Sequence, residues 1–100
     1  MVIYLLREKS GFGTRLAGAK MREKIISVYR KAQIEKDIII DFDGVSIISS
    51  GYADELLGKL VAEIGFYEFN KSIKLKNMNS LIQNIVQRSV AQRMAEAINE

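Results

Sequence analysis

Serine, carboxylate and tyrosine side chains crowd into one stretch of this chain, Asp41-Phe42-Asp43-Gly44-Val45-Ser46-Ile47-Ile48-Ser49-Ser50-Gly51-Tyr52-Ala53-Asp54-Glu55-Leu56, which runs from a strand-like segment into a helical one. A serine at a helix start has two distinct uses. Its oxygen can accept one of the unpaired backbone N–H bonds of the first turn. It can also carry a phosphate, whose charge of about −1.5 to −2 the same N–H groups and the positive end of the helix dipole would stabilise. Asp43, Asp54 and Glu55 would repel that phosphate, so modification is expected to switch a partner off rather than to lock the domain into a new shape. The chain has neither histidine nor cysteine. Imidazole acid–base chemistry, thiolate nucleophiles, disulfides and the usual zinc sites are thereby removed. No paired base accompanies Ser49 or Ser50, so an enzyme is not expected.

Other constellations are weaker. Gly11-Phe12-Gly13-Thr14-Arg15 places glycines before a helix but lacks the Gly-Lys-Ser/Thr of a P-loop and the third glycine of a dinucleotide fingerprint. Asp41 and Asp43 stand two apart on a strand and share a face, yet no third ligand is near in sequence, and a solvated strand end accounts for them. No cofactor or metal is required by these residues. Phe66, Tyr67 and Phe69 lack the interleaved basic residues of an RNA-binding sheet and read as core or interface filler. Arg15, in the first turn of a helix, opposes the helix dipole and is expected to find a carboxylate partner at the acidic edge.

The elements that must position these residues follow from hydrophobic periodicity. Val2-Ile3-Tyr4-Leu5-Leu6 is apolar throughout and predicts a strand covered on both faces. Thr14 is placed to cap a helix running to about Lys31, with Ala17, Met21, Ile25, Val28, Tyr29 and Ala32 inward and Lys20, Arg22, Lys24, Arg30 and Lys31 on the other side. Ile38-Ile39-Ile40-Asp41-Phe42 predicts a central strand. A second helix should begin between Ser49 and Gly51 and end at Ile64 before Gly65, burying Ala53, Leu56, Leu57, Leu60, Val61 and Ile64. Gly51, Glu55, Gly58 and Ala62 form a stripe of mostly small residues on this helix, suited either to a partner's backbone or to close packing within the domain. Ser72-Ile73-Lys74-Leu75-Lys76 alternates as a third strand with one wet face. Asn77 or Asn79 can cap a last helix from Ser80 to about Ile98, with Ile82, Ile85, Val86, Val90, Met94 and Ala97 inward.

The β-α-β-α-β-α order predicts an α/β fold, a single small layered domain with a mostly parallel sheet flanked by helices. Right-handed crossovers would set all strand C-termini on one edge, and residues 43–52 lie there. One hundred residues, 48% hydrophobic and 27% charged, suit one domain over residues 1–100 that buries roughly 60–70% of its unfolded surface. The apolar runs fall far short of the roughly 20 residues of a membrane span, and a cytoplasmic location is expected. The net charge of +3 is segregated. Residues 1–36 carry nine Lys/Arg against three Asp/Glu, whereas residues 37–55 carry no base and five acids, Asp37, Asp41, Asp43, Asp54 and Glu55. The basic first helix prompts an alternative reading as a nucleic-acid-binding surface, which the acidic edge opposes.

Gly13-Thr14-Arg15, Asp41-Phe42-Asp43-Gly44-Val45, Ser49-Ser50 and Tyr52-Ala53-Asp54-Glu55-Leu56 together resemble the bacterial STAS-like family of unknown function. Ile48-Ser49-Ser50-Gly51 is also similar to the Asp-Ser-Ser-Gly helix start of the STAS domain in anti-sigma factor antagonists, with Ile48 in place of the acidic residue. The resemblance implies a binding and switch domain without catalysis of its own. It implies Ser50 as phosphoacceptor with Ser49 beside it, and a GHKL-type ATPase/kinase or an anti-sigma factor as protein partner. Docking is then expected through the second helix and the loop before it, engaging Asp43, Gly51, Tyr52, Asp54, Glu55, Gly58 and Arg15. A homodimer, with the first strand paired between chains, stays open.

Overall fold

The computed structural model describes residues 1–8, 11–31 and 37–98. Strand β1 (Val2–Tyr4) passes through a single 3-10 turn, Leu5–Arg7, to helix α1 (Arg15–Lys31), whose first turn is capped by Thr14 Oγ1 accepting the Ala17 N–H at 3.1 Å. Strand β2 (Ile38–Asp41) leads by the 42–49 loop into a helix built of three continuous segments, α-helical Ser50–Ala53, π-helical Asp54–Gly58 and α-helical Lys59–Ile64, numbered together as α2. Gly65, at φ 89°, ends it, as its position after Ile64 predicts. A short helix absent from the sequence reading, α3 (Phe66–Ser72), then runs directly into β3 (Ile73–Lys76), and α4 (Ser80–Ile98) closes the described chain. Asn79 caps α4 by accepting the Ile82 N–H at 2.9 Å.

The sheet is wholly parallel with order β1-β2-β3, so the isoleucine-rich strand is central as expected. Both crossovers step in the same direction across the sheet, and right-handed connections in that case fall on the same face. Ile3, Ile38, Ile40 and Ile73 point to that face and are buried. The other face carries two rows, Val2–Ile39–Lys74 and Tyr4–Asp41–Lys76. Val2 is 41% and Tyr4 40% exposed, so β1 is not covered on both faces: it is an edge strand with one open side. Because the strand order never reverses, the sheet has no switch-point crevice, and its C-terminal edge is built from loops alone.

Helix α2 occupies the centre of the helical layer, between α1 and α4, and Tyr52, Ala53, Leu56, Leu57 and Leu60 are essentially inaccessible. Two glycines permit this approach. A Cβ on Gly18 of α1 would lie 2.7 Å from the Tyr52 carbonyl oxygen, and one on Gly58 would lie 3.1 Å from Arg93 Cγ and 3.4 Å from the Ser89 carbonyl of α4. Gly58 therefore serves close packing within the domain, and its expected place on a partner surface is corrected. On α4, Ile82 and Val86 are buried and Ile85, Val90 and Met94 are half-buried against the core, but Ala97, expected inward, is exposed. Ala32 lies outside the described residues.

Candidate functional site

At the C-terminal edge of the sheet the two adjacent serines separate into different roles. Ser49, in extended backbone, is the α2 N-cap: its Oγ accepts the Tyr52 N–H at 3.0 Å while its own N–H donates to the Phe12 carbonyl at 3.0 Å. Ser50 is exposed and begins the helix. Ser49→Ala should accordingly cost about 1 kcal/mol in a denaturant titration, whereas Ser50→Ala should stay within about 0.5 kcal/mol of the parent.

Tyr52 does not reach the surface. It is 1% exposed, its ring edge-on to Phe12 at 5.9 Å, and burial pushes its hydroxyl up to about 12. The expectation that Tyr52 contacts a partner is corrected, because the first turn of α2 directs this side chain into the core beneath the loop. Gly51 is half-buried against the Arg15 side chain, where a Cβ would lie 2.9 Å from Arg15 Cγ.

Asp54 and Glu55, which share the π-helical segment, are enclosed by cations from three helices. Arg93 of α4 holds Asp54 through two bonds, Nε to Oδ1 at 2.8 Å and Nη2 to Oδ2 at 2.6 Å, and Arg15 reaches Asp54 Oδ2 at 3.0 Å. Glu55 meets Lys59 at 2.7 Å, Arg22 at 3.0 Å and Arg15 at 3.4 Å, and Arg22 also donates to the Glu55 backbone carbonyl. These charge-assisted bonds depress both carboxyls to about 2, Asp54 chiefly through Arg93 and Glu55 chiefly through Lys59 and then Arg22. The pair is thus consumed in joining α1, α2 and α4. Glu55 is buried and Asp54 half-buried, so neither presents an acidic surface, and the expected carboxylate partner of Arg15 is found here.

The loop before α2 is braced from the opposite side. Asp41 Oδ1 accepts both the Asn77 side-chain amide and the Asp43 backbone N–H, each at 2.9 Å, and these bonds lower its pKa, Asn77 first. Asp43 itself is exposed at the turn. Asn79, besides capping α4, donates to the Ser46 carbonyl at 2.9 Å. Held this way, the loop displays Ile47, 60% exposed, over an open and almost wholly apolar depression of about 410 Å³ lined by Phe12, Gly13, Ile47, Ile48 and Ser49. The sequence reading gives Ile47 no role in the loop before the second helix, although an isoleucine between Ser46 and the serine pair is the available signal.

The basic side of α1 is largely engaged within the molecule. Arg22 binds Glu55, Lys24 binds Glu8 at 2.5 Å, and Arg30 lies 3.8 Å from Glu63. The sequence reading does not connect Arg22 or Arg93 to this pair, because the carboxylates they serve lie 33 and 39 positions away, whereas Lys59, four residues after Glu55 on the same helix, is a local signal it leaves unused.

A three-stranded parallel sheet covered by helices on one face, with a braced serine-bearing loop at its strand ends, defines a small α/β domain of STAS-like architecture. Residues 17–83 match the family described as STAS-like domain of unknown function (DUF4325), and the chain belongs to that family. The matched span contains Ser49, Ser50, Asp54 and Glu55, while Arg15 and Arg93 lie outside it. No curated protein and no solved structure matches the chain. Among the described residues, no helix is long and apolar enough to cross a membrane.

Proposed function

We propose that this chain is a non-catalytic protein-interaction domain that docks a signalling protein on the apolar depression beside Ser50, and that a phosphate on Ser50 releases it. The reading rests on one observation: Ile47 is held out at the loop tip over the apolar depression, and the exposed Ser50 follows three residues later, directly after the serine that is spent as a cap. Bracing by Asn77 and Asn79 favours recognition further, since a pre-ordered loop loses less entropy on binding. Release works through desolvation. Of the three carboxylates expected to repel a phosphate, Asp54 and Glu55 are neutralised by four cations, so repulsion from them is weak, and the exposed Asp43 is left to act. A dianion of about −1.5 to −2 beside an apolar contact instead obstructs the removal of water that docking requires. The partner class implied by the resemblance is a GHKL-type ATPase/kinase or an anti-sigma factor.

Incubation with a GHKL-type kinase from the same organism, with ATP, should place phosphate on Ser50 and leave Ser49 unmodified, read by phosphopeptide mass spectrometry. In calorimetric titrations with the same protein, Ile47→Asp and Ser50→Asp should each weaken binding by about tenfold or more, the equivalent of about 1.4 kcal/mol. Undiminished affinity in the folded Ile47→Asp variant, or phosphate confined to other residues, would sink the reading.

A further inference from the structure

All-parallel sheets occur almost only with both faces covered, because their strands are apolar on both sides. Here the crossovers cover one face, and the second presents Val2, Tyr4 and Ile39 with charged residues around them. The register fixes the pattern. Apolar side chains occupy the β1 side, Lys74 and Lys76 lie along β3, and the Arg7 guanidinium stands over the Tyr4 ring at 4.4 Å. The single carboxylate of these rows, Asp41, already accepts two hydrogen bonds at the strand end. Among the described residues this face is therefore an apolar strip bordered by cations, of which Lys74 also donates to the Asn70 carbonyl at 2.8 Å.

We infer that this face is the seat of an amphipathic helix supplied by a partner polypeptide, with an apolar stripe for Val2, Tyr4 and Ile39 and acidic flanks for Lys74, Lys76 and Arg7. A helix laid on a sheet is the standard way of closing a parallel layer, and its stripe of apolar residues matches a strip of this kind. Charge selects the flanks. A second copy of the chain fits poorly on the same ground: stacked with strands parallel, two faces would oppose Asp41 to Asp41, and stacked antiparallel they would oppose the lysine-bearing β3 strands to each other. This surface is separate from the Ile47 loop, and the two proposals stand or fall independently.

The test uses the full chain, isotope-labelled, and two synthetic amphipathic peptides with the same leucine stripe, one flanked by glutamates and one by lysines. Amide shifts on addition of the glutamate peptide should concentrate at residues 2–4, 39–41 and 74–76. The lysine peptide should leave them unmoved. The double variant Lys74→Glu/Lys76→Glu, both positions lying outside the core, should keep its circular dichroism spectrum, weaken binding of the glutamate peptide by about tenfold and reverse the preference toward the lysine peptide. Shifts centred on Ile47, or equal binding of both peptides, overturn the assignment. So does a dimer in sedimentation that Tyr4→Glu disperses, since the occupant would then be a second copy.

Discussion

Leucine in place of Gly18 should lower the unfolding free energy by about 3 kcal/mol or more, a drop in melting temperature of at least roughly 12 °C for a domain of this size. The cause is that the obstructing atoms are backbone. A Cβ at position 18 would sit 2.7 Å from the Tyr52 carbonyl oxygen and 3.2 Å from Tyr52 Cα, so relief requires moving α2 away from α1. That displacement would loosen the layer in which Tyr52, Ala53 and Leu56 are buried. Gly58→Ala offers the contrast. Its closest obstructions, Asp54 Oδ1 at 2.6 Å and Arg93 Cγ at 3.1 Å, are side-chain atoms of one ion pair, so the added methyl strains that pair without moving backbone, and alanine offsets part of the loss with about 1 kcal/mol of helix propensity. Thermal melts of the two variants should rank them in that order, and a Gly18→Leu protein melting like the parent would contradict the helix packing described.

Acid should dissolve the contacts among α1, α2 and α4 before it disturbs the sheet. Asp54 and Glu55 sit at about 2 in the folded chain against ordinary values of 3.8 and 4.5. With both pKa values depressed on folding, the stabilisation is complete above the unfolded values and is lost as pH falls through them toward about 2. Stability should thus be flat above about pH 5.5 and decline steeply between about pH 5 and 2. The loss from this pair is on the order of 3 kcal/mol, once screening around the exposed Arg15 side is discounted. The double variant Asp54→Asn/Glu55→Gln should be less stable at pH 7 and should lose most of that slope. Urea titrations at successive pH values read both effects, and a parent profile as shallow as the variant's would refute the role given to the network.

The alternation of strands and helices, the central strand and the stop of α2 were legible because each rests on a local pattern, whereas the short helix Phe66–Ser72 was not. Thr14, Asn79 and Gly65 act where their residue types say they should. The one-sided sheet was not legible from the run Val2 to Leu6, since a strand of three residues followed by a tight turn leaves the same apolar string as a strand covered on both faces. Strand order decides that question, and order is a property of pairing between distant segments. The same holds for the acidic pair. Asp54 and Glu55 read as a charged edge until Arg93 and Arg22 are brought in from other helices, and Tyr52 reads as presented until Phe12 is folded over it. The place of the serine pair at the helix start was legible, and the division between Ser49 as cap and Ser50 as first helical residue follows from which oxygen meets the Tyr52 N–H.

Asn79 fastens two parts of the molecule with one side chain: its amide nitrogen holds the Ser46 carbonyl while its oxygen closes the start of α4. Pulling on the loop therefore strains the hinge of the last helix, and fraying of that helix slackens the loop. By thermodynamic reciprocity, a change that orders the loop favours the capped start of α4 to the same degree that a firmer cap favours the ordered loop.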